Sequence, residues 1–114
     1  MTWVAVMLGS ALGGLLRFFL STTFVRAAPW TTLGINVLGS FLLGYLSTRA
    51  EIPATVRFGL TAGFCGGFTT FSAFSLEALL LSQRNSALSL LYIGGSVLAS
   101  ILALWAGCAL AKEH

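Results

Sequence analysis

The chain has 114 residues, of which 57% are hydrophobic and only 8% are charged, and its formal net charge is +3. Its mean hydropathy of +0.94 lies far above the range of water-soluble domains and excludes that class. At about 20 apolar residues per helical span, the length suffices for four crossings and leaves no separate soluble domain. We therefore predict an all-α integral membrane protein whose residues 1–114 form a single four-helix transmembrane domain.

Four apolar segments follow one another along the chain, separated by turn residues. The predicted spans cover residues 3–24, 31–47, 55–81 and 86–111. We interpret the first as a spanning helix rather than a removable signal because no basic leader precedes it. Pro29 is suited to open the second span, and the polar cluster that ends at Pro53 is typical of a loop.

The third span contains a glycine and hydroxyl-rich interruption between Gly63 and Ser75. Gly66 and Gly67 are adjacent there, as are two threonines that begin at Thr69. Such pairs weaken a helix, and backbone groups freed at membrane depth cannot face lipid, where each unsatisfied group costs several kcal/mol. We therefore predict that the helix is broken at residues 66–69 and that the break lines an ion site or an ion path.

Polar side chains also lie inside the other spans. Asn36 would be costly against lipid, so we expect it to face protein or water. Tyr92, Ser96 and Ser100 follow one another every four residues, which places three hydroxyls in one stripe of the fourth helix. These groups could serve only as interhelical hydrogen-bonding partners, with each serine bonded to the carbonyl one turn earlier. Their combination with a broken helix favours a path.

Phe71 and Phe74 are i, i+3 neighbours on one helix face. Ordinary core packing is one reading, because phenylalanine is a common buried residue. The other reading uses the positive edge of the ring, which can favour an anion without holding it as tightly as a lysine or arginine would. An anion path in this chain would be built from neutral donors and ring edges.

Groups for acid–base chemistry are scarce. The chain has no aspartate and a single histidine at its end, and its acids are Glu51, Glu77 and Glu113. Cys65 and Cys108 are isolated and lack the spacing of a zinc or redox site, so we expect both to be small core residues. We predict that the protein is not an enzyme and has no nucleic-acid partner.

Small residues recur at the spacing that lets membrane helices approach closely. The pairs are Gly9 with Gly13, Ser40 with Gly44, and Gly59 with Gly63. We assign them to packing.

The distribution of basic residues does not indicate one orientation in the membrane. With four crossings, one side carries Arg49, Arg57 and Lys112, and the other carries Arg17, Arg26 and Arg84. Arg17 could lie too deep to count, which would leave a mild bias. Alternatively, copies could insert in both orientations and pair as an antiparallel homodimer, which is compatible with two-fold symmetry.

The chain as a whole resembles the small fluoride channels called Fluc, or CrcB-type, proteins. The resemblance covers Gly9 to Phe18, the segment from Gly34 to Gly44, and above all Gly63 to Ser75. One departure is Ala73, where the family more often has a hydroxyl residue. That change removes a possible contact beside the phenylalanine pair.

The resemblance implies a dual-topology antiparallel homodimer with two separate fluoride pores. The positions that match pore residues of the family are Asn36, Phe71, Ser72, Phe74, Tyr92, Ser96 and Ser100. It also implies a structural sodium ion at the dimer centre, held by the backbone carbonyls of Gly66 and Thr69 from each subunit. Arg17 matches the family's first-helix arginine, although a snorkelling or loop-anchoring role also fits it.

Glu77 is the only acid within a predicted span. It could sit at a vestibule, pair with an arginine of the partner, or mark the approach to the interface, and we favour the vestibule. A carboxylate in the anion path itself would repel fluoride unless it were compensated.

The function implied is passive, fluoride-selective export that relieves fluoride toxicity, in the inner membrane of a prokaryote and in contact with lipid. Two alternatives stay open. A small multidrug exporter needs an acid in its first helix, which this chain lacks. A structural membrane subunit would explain the glycine-rich packing but gives no reason for Asn36, the hydroxyl stripe and the broken helix to occur together.

Overall fold

The computed structural model describes residues 1–113, so His114 lies outside it, and the described chain is helical throughout, with short turns and no strand. The α-helices are α1 Thr2–Thr23, α2 Trp30–Ser47, α3 Ala54–Phe58, α4 Gly66–Phe68, α5 Ser72–Arg84 and α6 Ser86–Glu113. A π-helix, Gly59–Cys65, joins α3 to α4, and a 3₁₀ turn, Val25–Ala27, follows α1. The prediction of an all-α protein is confirmed.

Three helical segments within the described residues are long and apolar enough to cross a membrane. They are Thr2–Thr23, Ala54–Arg84 and Ser86–Lys112. The helix α2 has 18 residues and is not among them, because Asn36 and several hydroxyl side chains lower its hydropathy. The molecule is 47 Å long, which exceeds the roughly 30 Å hydrocarbon thickness of a bilayer.

The break in the third segment is displaced from its predicted position. Residues Gly66–Phe68 are helical, and the chain leaves the helix at Thr69, whose backbone is extended with φ −80° and ψ 159°. The next helix starts at Ser72. The break therefore lies at residues 69–71, and the prediction of 66–69 is corrected. The two glycines remain helical, and Gly67 packs closely against Ser10 of α1.

The four long helical segments pair alternately, the first with the third and the second with the fourth. Helix α1 packs on the continuous rod formed by residues 54–68, and α2 packs on α6. The Thr2 and Thr55 hydroxyls are 3.1 Å apart at the two starting ends, so α1 and the rod run parallel. Gly44 of α2 faces Leu104 of α6, and Thr32 reaches the level of Tyr92, so this pair also runs parallel.

Glycines make both pairings close. A methyl group added to Gly13 would collide with the carbonyl oxygen of Phe64, and one added to Gly67 would lie 2.5 Å from the carbonyl oxygen of Ser10. Six glycines would each place an added methyl within 3.0 Å of backbone atoms of the paired helix, and Gly59 would place one 3.1 Å from the carbonyl oxygen of Ala5; the six are Gly9, Gly13, Gly44, Gly63, Gly67 and Gly107. The packing role predicted for the glycines of the small-residue pairs is confirmed.

A polar cluster closes the turn between α2 and α3. The Arg57 guanidinium donates to the carbonyl oxygen of Ile52 at 3.1 Å, and Arg49 bonds both Glu51 and the Tyr45 hydroxyl. The backbone N–H of Glu51 and the guanidinium of Arg49 hold the pKa of the Glu51 carboxyl below its usual value. The Glu51 carboxylate is ionised at neutral pH, and the ion pair is lost when acid protonates it.

Candidate functional site

Asn36, a residue of α2, hydrogen-bonds to the backbone of the break. Its Nδ2 donates to the carbonyl oxygen of Thr70 at 3.0 Å, and its Oδ1 accepts the Thr70 backbone N–H at 2.8 Å. The amide thus satisfies both backbone groups of one residue at a depth where lipid offers no partner. The Thr70 hydroxyl in turn accepts the backbone N–H of Ala73 at 3.1 Å and lies 3.2 Å from the Ser72 hydroxyl. Asn36 faces protein, as the sequence predicts.

Two further side chains fix the rod before the break. Arg17 of α1 donates through Nε to the carbonyl oxygen of Gly67 at 3.2 Å. Thr69 donates through its hydroxyl to the carbonyl oxygen of Cys65 at 2.9 Å. Arg17 therefore binds the backbone of the rod rather than extending to the membrane surface.

A cavity of about 280 Å³ lies beside the break, between α2 and α6. Its walls are Asn36, Ser40, Thr69, Thr70, Phe71, Phe74, Ser96, Val97, Ser100 and Ile101. Five of the seven predicted path residues thus line one space, although they come from three segments of the chain. We call it the central cavity.

Ser96 is the one buried side chain of the described residues whose oxygen has no hydrogen-bond partner. The residue is 4% exposed and lines the central cavity. The reading in which each serine bonds to the carbonyl one turn earlier does not apply to Ser96. A buried hydroxyl without a partner is costly and indicates a ligand or water at that position.

The two phenylalanines stand together at the cavity. Their ring centroids are 5.5 Å apart and their planes are tilted by 59°, so a ring edge of one faces the other ring. Phe74 is 8% exposed and belongs to the packed core, where it also contacts Tyr92. Phe71 is 77% exposed, although its ring contacts that of Phe74.

Two predicted path residues do not line the central cavity. The Ser72 side chain is exposed beside the Thr70 hydroxyl. Tyr92 is 2% exposed, and its hydroxyl donates to Glu77 Oε2 at 3.0 Å. The Thr32 hydroxyl donates to Glu77 Oε1 at 2.9 Å. The carboxylate therefore connects α2, α5 and α6, an arrangement that no local sequence signal indicates.

Glu77 also lines a smaller cavity at the end of α5. This cavity of about 160 Å³ is bounded by Ala28, Pro29, Glu77, Leu80, Leu81 and Arg84. Glu77 therefore bonds the Thr32 and Tyr92 hydroxyls and also borders a cavity that Arg84 lines.

A cavity of about 210 Å³ lies on the other side of Thr69. Its walls are Gly39, Ser40, Leu43, Thr61, Ala62, Cys65, Gly66 and Thr69. Ser40 and Thr69 line both this space and the central cavity, so the break separates the two. Sequence reasoning assigned Ser40 to packing alone and missed its position; its hydroxyl at mid-helix, one turn from Asn36, was the available signal.

No group of acids, histidines and cysteines within the described residues could hold a metal ion. Cys65 is buried, and Cys108 lies 3.4 Å from the carbonyl oxygen of Gly44. Both cysteines are packing residues, as predicted.

Comparison with known proteins agrees with this architecture. The sequence pattern of CrcB-like protein, camphor resistance (CrcB), matches residues 4–108. The chain is 43% identical to the fluoride-specific ion channel FluC of Paramagnetospirillum magneticum, over 94% of this chain and 92% of that one. It is 45% identical to the fluoride-specific ion channel FluC of Azotobacter vinelandii, over 96% of this chain and 95% of that one. The chain belongs to the CrcB-like family.

Proposed function

We propose that the protein is a fluoride-selective channel of a bacterial inner membrane. The observation that carries the proposal is the central cavity, whose wall includes Phe71, Phe74 and Ser96, the last with a buried hydroxyl that has no hydrogen-bond partner. Relatives of 43–45% identity over nearly the whole chain are named fluoride-specific ion channels. The protein is an ion channel and not an enzyme.

Fluoride would cross by exchanging part of its water for neutral donors. The Ser96 and Ser100 hydroxyls and the second amide hydrogen of Asn36 can donate to a small anion, and ring edges of the phenylalanines carry partial positive charge. No lysine lies at this depth, so binding stays weak enough for the ion to leave. A narrow path with hydroxyl donors favours a small, hard acceptor over chloride.

The chain would cross the membrane four times. Helix α2 runs alongside α6 for most of its length, and α6 is one of the three membrane-capable helices. At 1.5 Å per residue its 18 residues extend about 27 Å, close to the hydrocarbon thickness. Polar residues of α2 are turned toward the protein, which reconciles its lower hydropathy with a spanning position.

Two copies in opposite orientations would complete the pore. In the single chain Phe71 is 77% exposed although it borders the central cavity, so a partner is needed to enclose it. With Arg17 bound inside the protein, the remaining basic residues divide three against two. Such a small difference does not fix one orientation and suits an antiparallel homodimer.

A sodium ion at the dimer centre would bind the carbonyl oxygens of Gly66 and Thr69 from each subunit. Both residues border the cavity on the far side of the break. Four carbonyl oxygens suit a hard cation, and no acidic cluster within the described residues competes for it.

Glu77 would act at the outer end of the path rather than within it. Both its oxygens accept hydroxyl hydrogens, and the small cavity beside it is bordered by Arg84. The hydroxyl bonds and the neighbouring cavity support a vestibule position for Glu77. Ser72 would then stabilise the break through the Thr70 hydroxyl. Tyr92 would position the Glu77 carboxylate by donating a hydrogen bond to it.

The first test is fluoride efflux from liposomes that contain the purified protein. A potassium ionophore lets potassium leave together with the anion, so that no membrane potential opposes the efflux. A fluoride electrode measures the released fluoride, and chloride efflux is measured in parallel. We expect fast fluoride release without chloride release. No release of either ion from folded, dimeric protein would contradict the proposal and support a structural membrane subunit.

A Ser96→Ala variant should reduce fluoride efflux several-fold while keeping or raising thermal stability. The wild-type hydroxyl is buried without a partner, and such a group costs about 1–3 kcal/mol. Ser89→Ala is a matched control, because the Ser89 hydroxyl donates to the carbonyl oxygen of Ala78 and should stabilise the fold. The two measurements are liposome efflux and the unfolding midpoint in detergent. Normal efflux in Ser96→Ala would remove this hydroxyl from the path.

A further inference from the structure

The side chains of Asn36 and Thr70 accept two backbone N–H groups at the break. In an unbroken helix these N–H groups would donate to the carbonyl oxygens of Gly66 and Thr69. In an α-helix the N–H of each residue bonds to the carbonyl four residues earlier. Gly66 would then receive the N–H of Thr70, but this N–H donates to Asn36 Oδ1 at 2.8 Å. Thr69 would receive the N–H of Ala73, but this N–H donates to the Thr70 hydroxyl at 3.1 Å. Both carbonyl oxygens have lost their helical donors to side chains.

Three other carbonyls around the break are already bonded. The carbonyl oxygen of Cys65 accepts the backbone N–H of Thr69 at 3.0 Å, and that of Gly67 accepts Arg17 Nε at 3.2 Å. The carbonyl oxygen of Thr70 accepts the Asn36 amide at 3.0 Å. Hydrogen bonding thus distinguishes the two carbonyls assigned to sodium from these neighbours.

We infer that Asn36 and Thr70 are positioning residues for the sodium site, because they keep the carbonyl oxygens of Gly66 and Thr69 available to a hard cation. Neither side chain needs to touch the ion. Without its side-chain acceptor, each backbone N–H would be an unsatisfied donor inside the membrane and would turn to the nearest carbonyl. The inference rests on the proposed function, since it presupposes the sodium ion.

The test compares Thr70→Val with Thr70→Ser. Valine has the shape of threonine but no acceptor for the Ala73 N–H, whereas serine keeps the hydroxyl. Sodium is titrated against choline chloride at constant ionic strength, and binding is read from the unfolding midpoint and from the line width of the ²³Na magnetic resonance signal. We expect the half-saturating sodium concentration to rise by about 10- to 100-fold in Thr70→Val. Thr70→Ser should titrate like the wild type.

Asn36→Leu provides a second variant, because leucine is of similar size and has neither amide donor nor acceptor. It should weaken sodium binding by the same range, and Phe19→Ile, an exposed position on α1 away from both hydrogen bonds, should not. If Asn36→Leu does not fold, the Thr70 pair decides the question alone.

The outcomes separate this inference from the proposed function. Wild-type sodium binding in Thr70→Val and in folded Asn36→Leu would overturn the positioning role and leave the sodium site and the channel standing. The absence of any sodium effect in the wild type would overturn the sodium site and the inference together. Fluoride efflux, measured separately in liposomes, would still test the channel.

Discussion

Phe71→Ile should reduce fluoride efflux by about tenfold while leaving the stability of the subunit unchanged. Edge contacts between aromatic rings are worth about 0.5–1.5 kcal/mol, and a ring-edge contact with the ion at the upper end of that range, about 1.4 kcal/mol, corresponds to a factor of ten in rate. Isoleucine fills similar apolar volume but presents no positive edge. Because Phe71 is 77% exposed in the single chain, its replacement removes little packing from the subunit itself.

Phe74→Ile should lower efflux as strongly and also destabilise the protein. Phe74 is 8% exposed and packs against Tyr92 in the core cluster. A smaller side chain leaves a partly filled space there, which costs about 1–3 kcal/mol. The pair of variants thus separates the effect of the ring edge from the effect of packing.

Liposome efflux and the unfolding midpoint measure the two effects, and gel filtration reports the dimer. Phe19→Ile is the matched control, because Phe19 is exposed on α1 away from the central cavity. Wild-type efflux in both Phe71→Ile and Phe74→Ile would exclude the ring edges from the path.

Gly44→Ala should lower the free energy of unfolding by about 1–3 kcal/mol, or prevent folding altogether. An added methyl group would collide with the backbone carbonyl of Leu104, so α2 and α6 would have to separate along their shared face. The opposing Gly107→Ala would meet the carbonyl of Phe41 and should act in the same direction.

The matched controls are Gly34→Ala and Gly95→Ala, whose added methyl groups would meet nothing within 4 Å. Alanine in a helix is favoured over glycine by about 0.5–1 kcal/mol, so these variants should be neutral or slightly stabilising. Thermal unfolding in detergent compares the four. Equal midpoints for Gly44→Ala and Gly95→Ala would show that close approach at Gly44 is not required.

The sequence predicted the helices well because their signals are local. Apolar length, Pro29 before α2 and the polar turn before α3 place the helix ends within a few residues of the structure. The break was misplaced because glycine content says only where a helix is weak. Its actual position depends on Asn36, which is 34 residues from Thr70 along the chain.

The sequence predicted which residues line the candidate site better than it predicted which of them contact one another. A mid-helix asparagine and a hydroxyl stripe indicate polar surroundings, and Asn36, Ser96 and Ser100 do line one cavity. The same pattern could not reveal that the Tyr92 hydroxyl leaves the stripe to bond Glu77. That choice depends on the packing of α5 against α6, which no periodicity in the sequence encodes.

The alternate pairing of the helices has a consequence for biosynthesis. Helix α1 finds its main partner only in residues 54–68, and α2 finds its own only in α6. Neither pair can form while the first two helices alone have entered the bilayer, and the second pair must wait for the last segment of the chain to be translated. Until then the glycine faces of α1 and α2 lack the helices that they contact in the folded chain. Any insertion factor that shields nascent membrane helices would act on this chain during that interval.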